Sequence, residues 1–246
     1  MASNKIFPEL KKISASLASK CGALRFGQKV YAVYNPLVYA IRPHNIYLEL
    51  AGAAQKKVLF LGMNPGPWGM AQTGVPFGEI AAVRDWLGIT APVGKPDVQH
   101  PKRPIEGFAC NRSEVSGRRL WGLFRERYGT CHNFFREHFV ANYCPLVFMD
   151  RGGANITPDK LSAEETAPLY KVCDRALADT IKLLKPEWLI GIGGFAKKRI
   201  EKALDATLPG GQFSIAQILH PSPASPKANA GWGKEVTKTL SDLGVW

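Results

Sequence analysis

Three clusters in the chain bring together residue types that can do chemistry. The first is Gly62-Met63-Asn64-Pro65-Gly66-Pro67-Trp68-Gly69-Met70-Ala71-Gln72-Thr73-Gly74-Val75-Pro76-Phe77-Gly78, with five glycines and three prolines in seventeen positions. Glycine lets a ligand approach the main chain, and proline limits a loop's freedom. This composition therefore describes either a stiff cradle with exposed N–H groups or a structural turn. It is not a phosphate loop, because the G-x-x-x-x-G-K-S/T spacing and its lysine are absent. The second cluster, Asn142-Tyr143-Cys144-Pro145, offers a carboxamide, which presents a hydrogen-bond donor beside an acceptor. The third, His220-Pro221-Ser222-Pro223, offers an imidazole. An asparagine at a strand end also serves as a turn or cap, and a histidine after a strand also serves structure, so residue type alone leaves both open.

The elements that must position these clusters follow from apolar spacing. Val58–Gly62, Phe139–Tyr143, Trp188–Ile192 and Ile215–Leu219 are short apolar runs bounded by polar, Gly or Pro residues, as expected of buried strands in a parallel sheet. Apolar positions three or four apart predict helices over Pro8–Lys20, Glu79–Leu87, Gly117–Tyr128, Ala163–Leu184, Gly194–Leu204 and Gly233–Leu243. Alternation of the two patterns predicts one three-layer α/β/α domain over residues 1–246, with a central, mainly parallel four-stranded sheet and a helical segment of residues 1–50 packed on it. The stretch from Ile89 to Ser116 carries Pro92, Pro96, Pro101 and Pro104 and is expected to be a long surface excursion. In an open parallel sheet, ligands gather beyond the carboxyl ends of the strands. All three clusters follow predicted strands, so they are expected to face one pocket.

Composition narrows the partners. With 46% hydrophobic and 21% charged residues the chain is an ordinary globular sequence, which excludes a disordered tail. Lys and Arg number 32 against 20 Asp and Glu, a formal charge of +12 that favours polyanions, nucleic acid first, although the same charge also serves solubility. The five cysteines form no C-x-x-C pair, so neither a zinc nor an iron–sulfur site is expected, nor any other metal or cofactor. No apolar run is long enough to span a bilayer, and no signal-peptide core begins the chain. The expectation is a soluble monomer that is not secreted, cytoplasmic in a bacterium or nuclear in a eukaryote.

The first and third clusters are similar to the two main motifs of the single-strand-selective monofunctional uracil-DNA glycosylases. A weaker likeness takes in Asn142-Tyr143-Cys144-Pro145-Leu146 and Ser113-Glu114-Val115-Ser116-Gly117, so that it touches most of the chain from Gly62 to Asn229. The resemblance implies that a nucleotide is turned out of DNA and its base bound in a snug slot. It makes Phe77 the ring that stacks on uracil and Asn142 the carboxamide that accepts from N3–H and donates to O4. The main chain of Met63 and Gly66 completes recognition, with room beside uracil C5 at Gly66. Asn64 matches the residue that positions the attacking water, and His220 the one that stabilises the departing anion. Neither main motif contains a lysine for a Schiff base, so an abasic site without strand cleavage is expected. The implied substrates are uracil and 5-hydroxymethyluracil, with little action on thymine.

The loop from Pro221 through Ser222, Pro223, Ala224, Ser225 and Lys227 to Asn229 is implied to fill the gap left by the flipped nucleotide. Vertebrate members of the family carry a basic residue where this chain has Ala224, so the resemblance leaves the plug here either weaker or supplied by Lys227. Arg118 and Arg119 at one predicted helix start, and Lys197, Lys198 and Arg199 at another, are candidate phosphate contacts. Two other classes compete with a glycosylase. A non-catalytic nucleic-acid-binding protein needs the charge but not Asn64, Asn142 and His220 at strand ends. A nucleoside or nucleotide hydrolase needs the pocket but not the charge.

Overall fold

The computed structural model describes residues 6–207 and 213–246. Residues 1–5 and 208–212 of the expected domain span lie outside the described residues. The helices are α1 (Ile6–Gly22), α2 (Pro36–Tyr39), α3 (Ile41–Ala51), α4 (Met70–Thr73), α5 (Val115–Tyr128), α6 (Cys131–Phe135), α7 (Ala163–Leu184), α8 (Gly194–Thr207) and α9 (Pro226–Asp242). The strands are β1 (Ala32–Tyr34), β2 (Val58–Gly62), β3 (His138–Asn142), β4 (Val147–Met149), β5 (Asn155–Ile156), β6 (Trp188–Ile192) and β7 (Ser214–Ile218).

The expected parallel sheet is present, four strands in the order β3-β2-β6-β7. β2 takes a central place because all five of its residues are apolar or glycine and all five are buried. Its two sides pack on different helices. The Phe60 ring lies 5.2 Å from that of Phe124 on α5, whereas Leu61 lines a cavity with Leu10 of α1, Leu48 of α3 and Leu177 of α7. The chain leaves β2 for β3 on one side and later returns to β6 on the other, so the topological switch point falls between β2 and β6. Register sets Gly62 directly beside Asn142, and Gly193 N–H donates to the Ile218 carbonyl at 2.9 Å. The carboxyl ends of all four strands therefore finish in one row.

Several expectations shift. β3 and β7 each begin one residue earlier than the apolar runs suggested. The helix expected over Glu79–Leu87 narrows to a π turn at Ala82–Trp86, in which Leu87 N–H reaches the Ala82 carbonyl and Glu79 caps the entry through its Oε2. The Gly- and Pro-rich first cluster holds a helical turn after all, α4, ended by Gly74 at φ 71°. α9 starts at Pro226 rather than Gly233, because Ser225 caps it and Gly231, at φ 154°, bends it before the stretch with helical spacing begins. A small antiparallel sheet, β1-β4-β5, was not foreseen.

The excursion between Ile89 and Ser116 is not confined to the surface, since His100, Ile105, Gly107 and Cys110 are buried in it. Its main-chain groups find partners inside. Tyr34 Oη accepts from His100 N–H and donates to the Arg103 carbonyl. Gln72, fully buried, donates through Nε2 to the carbonyls of Pro67 and Pro104, both at 3.0 Å, and accepts at Oε1 from Glu106 and Gly107 N–H. One amide thereby fastens the excursion to the first cluster.

Candidate active site

The site begins at Gly62, where a side chain has no room. A Cβ there would lie 2.5 Å from Asn142 Oδ1 and 2.5 Å from the edge of the Phe77 ring. The end of β2 thus brings carboxamide and ring to one point. Asn142 Nδ2 donates to the Met70 sulfur at 3.3 Å, a weak acceptor, while its Oδ1 is buried with no hydrogen-bond partner. A buried, unpartnered carbonyl oxygen costs about 1–3 kcal/mol unless something fills the space before it.

Phe77 is held in a conformation that side chains avoid, φ 52°, with its carbonyl accepting from Glu79 N–H at 2.7 Å. Such backbone costs on the order of 1–3 kcal/mol and persists only where surroundings enforce it. Here Trp121 Nε1 donates to the Pro76 carbonyl, and α5 comes so close that a Cβ on Gly117 would stand 2.1 Å from the Phe77 carbonyl oxygen. The ring centre of Phe77 lies 6.3 Å from that of His220, with the planes at 45°.

His220 packs its Cβ over Gly193, which at φ 91° turns the chain from β6 into α8. Ser222 N–H donates to His220 Nδ1 at 3.1 Å. An accepting Nδ1 leaves the proton of a neutral imidazole on Nε2, and burial lowers the pKa of His220, favouring that neutral form. Asn64 donates through Nδ2 to the Leu146 carbonyl at 3.2 Å and, at longer reach, to that of Pro65. Leu146 directly precedes β4, so the entry to the unforeseen antiparallel sheet supplies the anchor for the Asn64 amide nitrogen. Met63 gives its carbonyl to Cys144 N–H at 2.9 Å, which ties the end of β2 to the segment after β3.

Beneath Gly66 and Gly69 lies a residue to which sequence reasoning gave no role. A Cβ on Gly66 would stand 2.3 Å from Glu114 Oε1, and one on Gly69 would stand 2.1 Å from Oε2. Oε2 is buried without a partner, and burial, helped by the charge of Glu79, pushes the carboxyl up to about 7. The glycines of the cradle are required as much by this carboxyl below as by any ligand above. An apolar cavity behind Asn142 also touches Met70 and Pro76 but not Asn64, Phe77 or His220, so it backs the slot rather than forming its face.

Of the residues expected at the DNA, Pro223, Ala224 and Lys227 are exposed, Ser222 and Ser225 half-buried, and Pro221 buried. Lys227 belongs to the first turn of α9, and Ser225 is its cap. Arg118 is exposed on α5, while Lys197 pairs with Glu201 at 3.5 Å. Two candidates are corrected. Arg119, half-buried, spends its guanidinium on the carbonyls of Pro221 and Ser222 and on Asn229 Oδ1, so it braces the loop that follows His220. Arg199 is buried against Tyr170 and Tyr143 and ion-paired with Asp174, because the apolar face of α8 carries it into the interior.

Fold and site together define a class: an α/β protein whose parallel strand ends close on a polar slot with one aromatic wall. The chain belongs to the uracil DNA glycosylase superfamily, whose model matches residues 51–244. Within it, the chain is 48% identical over 222 residues to the single-strand selective monofunctional uracil DNA glycosylase of Bos taurus, covering 90% of this chain and 81% of that one. The protein of the same description from Mus musculus is 45% identical over 229 residues, 93% of this chain and 81% of the other. Wild-type SMUG2 of Pedobacter heparinus shares the fold, with a TM-score of 0.64 at 17% identity over 94% of this chain and 97% of its own. Among the described residues no cluster of His, Cys, Asp or Glu could hold a metal ion, and no helix is long and apolar enough to cross a membrane.

Proposed function

We propose that this chain hydrolyses the bond between uracil and deoxyribose in DNA, leaving an abasic site without cutting the strand. The observation that carries the reading is the buried, unpartnered Oδ1 of Asn142 beside the Phe77 ring. Uracil would answer it with N3–H, while Nδ2 would exchange the poor Met70 sulfur for uracil O4. Cytosine offers an unprotonated N3 and an amino group instead, so both hydrogen bonds would be lost, at about 1–3 kcal/mol for each polar group left unpaired.

In the reaction, negative charge grows on the base and positive charge on the sugar. His220, neutral with its proton at Nε2, donates toward uracil O2 as the base leaves. Asn64 Oδ1 accepts from the attacking water and aims it at the sugar; an amide is too weak a base to do more. The wedge of Pro223 and Ala224, braced by Arg119, occupies the space the nucleotide vacates. Arg118, Lys197 and Lys227 meet phosphates around it. A base lying on the side of Gly66 away from Glu114 would bring C5 against bare main chain, so 5-hydroxymethyluracil would be accepted and thymine, whose methyl offers no hydrogen bond to replace a displaced water, would not. The protein acts as a monomer on single and double strands.

Base release from strands carrying uracil, 5-hydroxymethyluracil, thymine or xanthine, in single- and double-stranded form, tests this reading. Uracil and 5-hydroxymethyluracil should be freed and the strand left intact until alkali is added. Equal rates on thymine and uracil in one context would refute the C5 argument, and no release of uracil at all would refute the activity.

A further inference from the structure

The excursion between Ile89 and Ser116 has no task in the reaction, yet it is fastened with care. Gln72 ties Pro104, Glu106 and Gly107 to Pro67, and Tyr34 fixes His100 and the Arg103 carbonyl. The result is that two arginines of this segment converge on one indole of the first cluster. The guanidinium carbon of Arg103 lies 5.2 Å from the ring centre of Trp68, and that of Arg112 lies 5.4 Å from it. Trp68 stands between Gly66 and Gly69, the two glycines that close on Glu114, and Arg112 leads into that same residue. The pair therefore sits beside the glycine cradle that closes on Glu114.

Two like charges held at one ring repel each other, and neither forms an ion pair with a carboxylate among the described residues. Arg103 spends one Nη1 hydrogen on the Lys102 carbonyl, but its Nε is buried with no partner. Arg112 is exposed. An indole face holds guanidinium groups in place without neutralising them. What such an arrangement lacks is an anion with several oxygens.

We propose that Arg103 and Arg112, pre-oriented on Trp68, bind the phosphates of the DNA strand that flanks the nucleotide in the slot. The inference rests on the glycosylase reading and adds to it a second grip. The wedge loop, held by Arg119 of α5, opens the strand at one edge, and the segment entering α5 holds the strand at another. Arg112, exposed, suits the task because its planar fork can meet a phosphate with two parallel hydrogen bonds, while Arg103, its Nε buried, would reach one through its remaining Nη hydrogens. The grip follows the backbone, so it needs no second strand and no particular sequence.

The test is the salt dependence of binding to a single strand carrying a stable abasic-site analogue, read by fluorescence anisotropy. Each phosphate neutralised on a single strand contributes about −0.7 to the slope of log affinity against log salt. Replacing both residues, Arg103→Gln with Arg112→Gln, should make the slope shallower by about 1.4. Arg103→Lys with Arg112→Lys should keep the slope and weaken binding, since charge survives and the fork does not. Arg112→Gln alone, at an exposed position, should remove about 0.7 and covers the case in which the double variant folds poorly. An unchanged slope in the Gln variants would overturn the inference and reduce the arginines to packing on Trp68. Release of uracil by the unaltered protein is measured alongside: its absence would sink the glycosylase reading whatever the slopes do, while its presence with unchanged slopes would sink only the phosphate grip.

Discussion

Asn142, Asn64 and His220 share one device: in each, a main-chain or sulfur contact uses one polar atom and so fixes what the other presents. Asn64 Nδ2 is held by Leu146, His220 Nδ1 by Ser222, and Asn142 Nδ2 by Met70. Removing the presenting atom should cost turnover and leave folding intact. Asn64→Ala and His220→Ala are expected to bind DNA yet slow single-turnover release by roughly 100–1,000-fold, the usual worth of a preorganised group at a developing charge. Near-normal rates in both would contradict the assignment. The tautomer adds a pH test. A cationic His220 would turn an N–H at Nδ1 against Ser222 N–H, and burial already lowers its pKa below the ordinary 6.5. The single-turnover rate should therefore hold its plateau as pH falls to 6.5, and a midpoint at or above that value would mean that His220 is not the group reporting. Gly62 supplies a third case. Alanine favours a strand more than glycine does, but its Cβ would meet Asn142 Oδ1 and the Phe77 ring at 2.5 Å. Gly62→Ala should lose as much base release as Asn142→Ala and, because the Phe77 ring it would displace is buried, should also lower the unfolding temperature.

At the scale of elements, the cradle rests on α5. Glu114 precedes that helix without capping it, sends its carboxyl under Gly66 and Gly69, and is pushed up to about 7 by burial and by Glu79. Such an acid is protonated in the folded chain before it is in the unfolded one. Its contribution is complete below pH 4.5 and is lost as pH rises through 7. Glu114→Gln cannot ionise, so it should gain on the parent between pH 5 and pH 8 by on the order of 2–3 kcal/mol, read as a growing difference in unfolding temperature. A difference independent of pH would show that the carboxyl is solvated after all. None of this was legible in the sequence, although Glu114 was in view as part of a motif. Apolar runs revealed β2 and β6 to the residue, because a central parallel strand is apolar throughout. β1, β4 and β5, with three, three and two residues, are too short to show a period, and α3 carries Pro43 in its first turn. The motifs named Asn64, Phe77, Asn142 and His220. They could not disclose Arg119 bracing a loop 102 positions away, or Arg199 turned inward, because those depend on which faces of α5 and α8 meet the rest of the fold.

For the whole molecule, two buried histidines tie separate layers together in the same way. His44 of α3 donates from Nδ1 to the Gly74 carbonyl of the cradle and accepts at Nε2 from Ser14 of α1. His138 of β3 donates from Nδ1 to Phe134 and accepts at Nε2 from Tyr128. Burial is the main cause that lowers each from 6.5 to about 4. Between those values the unfolded chain takes up protons that the folded chain refuses, so stability is complete above pH 6.5 and is lost as pH falls toward 4. Each tenfold loss of proton affinity on folding corresponds to about 1.4 kcal/mol. Each histidine therefore accounts for on the order of 3 kcal/mol, a large part of the roughly 5–15 kcal/mol that holds a typical domain together. Glu114 works in the opposite direction over much of the same range, because the folded chain gains its proton first. The net expectation is a fall in unfolding temperature from pH 6.5 to pH 4.5 that becomes steeper in Glu114→Gln and shallower in His44→Gln with His138→Gln. The double histidine variant should be the less stable protein at pH 7, where it forfeits two buried hydrogen-bond relays, and should approach the parent as the pH drops. Parallel curves for the parent and all variants would mean that acid acts on the surface carboxylates alone, and that the link from α1 through His44 to the cradle has no part in holding the slot open.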